Sequence, residues 1–250
     1  MKKLIVCGDS FMSATQDIPD RIDCLGGGHF TQIFAKELGF KYDTFARGGA
    51  SNFLIYLQVK EALNNDPDYI IVGFTDSLRV EILNGQHHDG DEIGKEVTVY
   101  DFNYHEYPDL STELRYDKWS DKPRYISTSV VNVIDWPDKF EDKGRLFNEY
   151  YYNVYKDYFT SFWSPAIQSM YDKMIIEKTI DLLDNSGVPF HITGNSDYGN
   201  NSNDLRSIED MNPYTGHGDI FAGPYRFHTT AERQKDLADK WIKYYKNYGG

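Results

Sequence analysis

Cysteine, positive charge and long apolar runs are all scarce in this chain. Of its 250 residues only two are cysteines, Cys7 and Cys24, too few for a disulfide scaffold. Cys7 ends an apolar run, so a buried free thiol is expected there rather than a disulfide. Lys and Arg number 26 against 39 Asp and Glu, a formal net charge of −13. Phosphate backbones are bound by clustered Lys and Arg, so this balance argues against a nucleic-acid partner and against an anionic membrane surface. The acidity itself reads as solubility. No apolar stretch reaches membrane-spanning length. After Lys2 and Lys3, the apolar run over residues 4–7 is far too short for the core of a signal peptide. The expectation is a protein without a membrane partner, cytoplasmic where it is made.

What the chain has in quantity is aromatic residues. They make up 16% of it, with 20 Tyr and 15 Phe, in a composition otherwise globular at 40% hydrophobic and 26% charged. Aromatics on that scale build cores, and they also line pockets for sugars or acyl chains.

The hydrophobic pattern alternates between strand and helix. Residues 4–7 form a short buried strand closed by Gly8. Phe30, Ile33, Phe34, Glu37 and Leu38 follow helical spacing up to Gly39, which ends the helix. Residues 42–45 predict a second strand. Ser51 can cap a helix running to about residue 64. Residues 69–73 are the clearest buried strand, after an Asp-Pro-Asp turn. A helix over about 169–185, a strand over 190–193 and a last helix over about 230–245 complete the pattern. Such alternation implies an α/β protein with a central parallel sheet and helices on both faces. Between about 80 and 165 the alternation fails. The expected organisation is therefore one domain over 1–250 carrying an inserted cap at about 80–165. The cap holds Tyr100, Phe102, Tyr104 and Trp119. Further on, Phe159-x-x-Phe162-Trp163 has the helical spacing of a packed subdomain core. A lid that stacks on a carbohydrate or acyl group is the sharper reading, and the two are compatible.

The loops after the first three strands carry Gly8-Asp9-Ser10, Gly49-Ala50-Ser51-Asn52 and Gly73-Phe74-Thr75-Asp76. His228 lies just before the last helix. All four positions fall where an open parallel sheet gathers ligands, beyond the carboxyl ends of its strands. A serine hydroxyl needs a base within hydrogen-bond reach, histidine can be that base, and a third group usually orients the ring. The tetrahedral intermediate needs donors aimed at its oxyanion. Ser10 is not in a Gly-x-Ser-x-Gly elbow, because residue 12 is Met.

Strand-Gly-Asp-Ser at the N-terminus, Gly49 before Ser51-Asn52 and a helix, Gly73-x-x-Asp76 after a strand, and His228 before the last helix together resemble the conserved blocks of the GDSL/SGNH hydrolases. The resemblance covers roughly residues 3–85 and 169–245. It implies an SGNH-type three-layer α/β/α sandwich. It further implies a nucleophile at Ser10, a general base at His228, and an oxyanion hole from the Ser10 amide, the Gly49 amide and a third-block side chain. Thr75 stands where that family usually has Asn. Tyr225 stands where it usually has the Asp that orients the histidine, so either another acid such as Asp219 reaches the ring or a Ser–His dyad operates. The short, acidic, aromatic-rich character also resembles SGNH-like proteins encoded by phages.

The expected activity is hydrolysis of a carboxylic ester, such as an O-acetyl or other acyl ester on a carbohydrate, through an acyl-Ser10 intermediate. Two alternatives stand beside it: a binding or structural protein on the same scaffold that has lost activity, and an acyltransferase using the same serine. Supporting roles are expected for Asp9, bracing its loop, for Asn52, capping its helix, and for Asp76, which hydrogen-bonds the oxyanion loop with Arg79 as its ion-pair partner. His191 and His217 are rival histidines, though neither directly precedes the last helix. Residues 87–91 (His-His-Asp-Gly-Asp) do not fit a calcium loop, since Ile93 and Tyr100 fall where oxygen ligands are needed. The triple glycine at 26–28 matches no phosphate-binding fingerprint. No metal or organic cofactor is expected.

Overall fold

A computed structural model describes residues 1–9, 11–12, 28–83, 96–104, 125–129, 149–194 and 231–248. Ser10, Cys24, His217, Asp219, Tyr225, His228 and the 87–91 segment lie outside these residues, so the expectations that rest on them stay expectations.

Four parallel strands form the central sheet: β1 (Lys3–Gly8), β2 (Lys41–Thr44), β3 (Tyr69–Phe74) and β7 (Phe190–Gly194), in the order β2-β1-β3-β7. β3 and β7 are buried at every residue, and β1 at all but its first. That is the signature of strands covered on both faces. The pleat sorts the core into two layers. Leu4, Val6, Tyr69 and Ile71 pack with helices α1 (Phe30–Leu38) and α5 (Ala231–Tyr248), where Phe34 and Trp241 meet edge to face. Ile5, Cys7, Ile70 and Val72 face the other way, onto α2 (Asn52–Leu63) and α4 (Pro165–Ser186). The chain is thus an α/β sandwich with a parallel sheet at its centre. Cys7 is a free thiol in that core, and burial pushes its pKa far above the usual thiol range.

The stretch without clear periodicity contains regular structure after all. β4 (Arg79–Leu83), β5 (Phe102–Tyr104) and β6 (Tyr125–Ser129) make a second sheet in the order β4-β6-β5, antiparallel at one seam and parallel at the other. A 3-10 turn at Val99–Asp101 leads into β5, and Val99 and Phe102 are buried in the same core as α2 and β3. These strands are three to five residues long, too short to print an alternation over the aromatic background.

Two further differences concern helices. α4 starts at Pro165, with Ser164 as its cap, rather than near 169. Proline suits the first helical position because its missing N–H is needed by no partner there. The first turns of α4 leave Ile167, Met170, Tyr171 and Met174 exposed, so no inward apolar stripe announces them. In α3 (Glu149–Ser161) Phe159 is buried and packs on Trp163 at 6.0 Å, but Phe162, expected in that same core, is 79% exposed. No helix among the described residues is long and apolar enough to cross a membrane.

Candidate functional site

Strand order reverses between β1 and β3: β1 is followed by β2 on one side, and β3 returns to the other. Open parallel sheets bind ligands outside the carboxyl ends of strands at such a reversal. Gly8-Asp9 leaves β1 there and Thr75 leaves β3 there, with the Arg47–Ala50 loop next to them.

Gly8 and Gly73 are in-register partners at the ends of β1 and β3. Their missing side chains make room for Met12, which is completely buried. A Cβ on Gly8 would lie 2.5 Å from Met12 Cγ, and one on Gly73 would lie 2.2 Å from the same atom. The chain after Asp9 therefore folds back over the strand ends, and Met12 N donates to Asp9 O at 3.1 Å. Gly8 N donates to the buried Gln58 side chain of α2 at 2.7 Å. Gly8 O accepts from Arg47 N at 2.9 Å, tying the loop after β2 to the end of β1. In that loop Gly49 has φ 79, a backbone conformation that favours glycine.

Asp9 is fully buried and organises the junction. Its Oδ1 accepts from the Phe11 amide at 2.9 Å, and its Oδ2 accepts from Thr75 Oγ1 at 2.9 Å. Arg79 Nη2 lies 3.6 Å from Oδ2. Arg79 thus forms its ion pair with Asp9, not with Asp76 as the sequence suggests. Asp76 instead accepts from the Leu78 amide at 2.8 Å, shaping the turn between β3 and β4.

Asn52 also differs from its expected role. Ser51 is the cap of α2, accepting from Leu54 N at 3.1 Å. Asn52, buried at the first helical position, turns its amide onto the Thr75 backbone. Its Oδ1 accepts from Thr75 N at 3.0 Å and its Nδ2 donates to Thr75 O at 3.1 Å. The hydroxyl hydrogen of Thr75 already points at Asp9, and a hydroxyl has one hydrogen to give. Thr75 could serve an oxyanion as a side-chain donor only by releasing Asp9.

Behind Asn52 sit two carboxyls that sequence reasoning passed over. Asp172 of α4, 1% exposed, accepts from Gln168 Nε2 at 3.4 Å and lies beside the Asn52 side chain. Burial raises its pKa to about 7, with Asp76 adding to the rise and Asn52 and Gln168 opposing it. Burial likewise raises Glu81 of β4 to about 8, with Asp172 adding repulsion and the Leu54 amide opposing. Asp172 Oδ2 and Glu81 Oε1 have no hydrogen-bond partner among the described residues. Asp172 shares its inward stripe with Ile176, Thr179 and Leu183. An acid in register with buried residues at helical spacing was the available signal.

The raised values make a prediction. The native state keeps these protons at pH values where the unfolded chain has lost them, so stability falls as pH rises. For Glu81 the window runs from 4.5 to about 8. Glu81→Gln should match wild type in urea denaturation near the acid end of that window and exceed it increasingly toward the alkaline end. A constant difference across the window would refute the buried-proton account.

Of the rival histidines, His191 is a core residue, hydrogen-bonded to the Tyr69 hydroxyl and packed against Trp241 and Tyr244. Among the described residues no group of three or more His, Cys, Asp or Glu is placed to hold a metal ion. No family model matches this chain, and no curated protein matches its sequence.

Proposed function

We propose that this chain is a serine hydrolase of the GDSL/SGNH type, cleaving a carboxylic ester such as an acyl ester on a carbohydrate. Ser10 would attack the ester carbonyl, His228 would take the hydroxyl proton and return it to the leaving alcohol, and water would then release the acyl group. The observation that carries the reading is the hydrogen bond from Thr75 to Asp9 across 66 residues of sequence. It joins the first and third blocks at the reversal of the parallel sheet. The Arg47 amide brings the Gly49 loop to the same edge. Support therefore comes from where the blocks lie relative to one another, beyond their order in the chain. The Ser10 and Gly49 amides are the proposed oxyanion donors.

Intact-mass analysis after incubation with a fluorophosphonate tests the proposal. One adduct is expected on wild type, with none on Ser10→Ala or His228→Ala. Removing a triad member leaves only residual catalysis, on the order of 10⁴-fold or more below wild type. An adduct that persists in Ser10→Ala would place the nucleophile elsewhere.

One observation favours a second reading, a binding protein on this scaffold. Thr75 gives its hydroxyl hydrogen to Asp9, and loss of one oxyanion donor costs about 3 kcal/mol of transition-state stabilisation. A wild-type protein that takes up no fluorophosphonate would decide for that reading.

A further inference from the structure

The Phe11 peptide is held at both ends by buried side chains. Its N–H donates to Asp9 Oδ1 at 2.9 Å, and its carbonyl lies 2.8 Å from His29 Nε2. A carbonyl can only accept, so Nε2 carries the hydrogen. His29 is 4% exposed, and burial lowers its pKa to about 4, so the ring is neutral and Nδ1 is an acceptor. Nδ1 faces Thr31 Oγ1 at 2.7 Å and Thr31 N at 3.4 Å, and so caps α1. Thr31 then gives its hydrogen to His29 and accepts from Tyr42 OH at 3.2 Å. A chain of three hydrogen bonds through four residues runs from the edge strand β2 through α1 to the residue after Ser10.

Histidine is an unusual cap; Ser, Thr, Asp and Asn serve that purpose with shorter side chains. None of those could cap α1 and also reach Phe11. The imidazole spans both with its two nitrogens.

We propose that His29 is a positioning residue, which holds the Phe11 carbonyl and thereby fixes the turn after Asp9 in the orientation the nucleophile needs. The catalytic part of this rests on Ser10 being that nucleophile; the hold on Phe11 does not.

Two substitutions separate the roles of the ring. His29→Asn retains a capping oxygen near the place of Nδ1 but stops short of Phe11. His29→Gln can carry an amide N–H to Phe11 but caps poorly. The readouts, taken on the full chain, are amide hydrogen exchange at Phe11 and Met12, the rate of fluorophosphonate inactivation, and the melting temperature. In His29→Asn both amides should exchange about tenfold faster and inactivation should slow about tenfold, which is what loss of one buried hydrogen bond amounts to. His29→Gln should recover most of both losses while melting below His29→Asn. Wild-type exchange in His29→Asn would overturn the proposal and leave His29 a cap. Faster exchange in a protein whose wild type takes up no fluorophosphonate would uphold the hold on Phe11 and bring down the Ser10 reading instead. Wild-type inactivation in His29→Asn would remove the positioning role and leave the hydrolase reading intact. The ¹⁵N spectrum of His29 provides a check that needs no substitution. A proton on Nδ1 at neutral pH would overturn the assignment.

Discussion

Gly8→Ala should lower stability by about 3 kcal/mol, the upper end of the range for overpacked cores, and Gly73→Ala by about 2 kcal/mol, its middle. Either change should also abolish fluorophosphonate labelling. The two differ because of the atoms that a new methyl would meet. At Gly8 the added Cβ would fall 2.7 Å from Met12 Cβ and 2.9 Å from the Gly73 carbonyl oxygen. No rotamer of Met12 moves its own Cβ, and a strand backbone gives little. Gly8 also has φ 150, which adds strain for any residue with a side chain. At Gly73 the clash is with Met12 Cγ and Sδ, at 2.2 and 2.6 Å, and a rotamer change can relieve it. Such a change drives Met12 off the strand ends and takes the turn after Asp9 with it. Met12→Ala alone should cost about 2–5 kcal/mol through the cavity it leaves. In the Gly73→Ala background it should cost far less, because the methyl occupies the vacated space. Urea denaturation of the four proteins gives the coupling directly. Strict additivity would mean that Met12 does not pack where the two glycines leave room.

This explains why the paired glycines were legible in the sequence while their purpose was not. Glycine at the end of β1 and again in β3 marks two blocks of a motif, and the order of blocks predicts a shared sheet edge. That Met12 fills the gap depends on the in-register pairing of Gly8 with Gly73, which is a three-dimensional fact. β1 and β3 were readable for a related reason. Burial on both faces leaves short continuous apolar runs, such as residues 4–7 and 69–73, bounded by turn residues. The second sheet was not readable because its strands are short and lie among tyrosines and phenylalanines throughout. The polar network was hidden by a degeneracy of chemistry. Ser51 and Asn52 are both good caps, and only the fold decides that Ser51 caps α2 while Asn52 turns to Thr75. Likewise Asp76 is the acid that neighbours Arg79 in sequence, and packing pairs Arg79 with the distant Asp9 instead. Ser10 and His228 themselves rest on the motif, and labelling decides them.

Asn52→Leu should cost about 3 kcal/mol and slow any reaction at this edge of the sheet, though leucine keeps the branching of asparagine. The side chain of Asn52 makes two hydrogen bonds to the Thr75 backbone, and it favours the charged form of the Asp172 carboxyl beside it. Each buried partner left without a bond costs roughly 1–3 kcal/mol, and relaxation of the Thr75 loop recovers part of the sum. Asn52→Asp sharpens the test, since it keeps the acceptor for Thr75 N and loses the donor bond to Thr75 O. It also sets a second carboxyl against Asp172, whose pKa is already raised to about 7 by burial. Like charges at close quarters raise each other's pKa, so the native state of Asn52→Asp should hold extra protons that its unfolded state releases. The sign follows: Asn52→Asp should lose stability relative to Asn52→Leu as pH rises from about 5 to 8, and approach it as pH falls. Denaturation of both variants at three pH values would show a widening gap toward alkaline pH. Parallel curves would mean that residue 52 and Asp172 do not meet. The two bonds from Asn52 to Thr75, which join the second block to the third, would be untouched by that result.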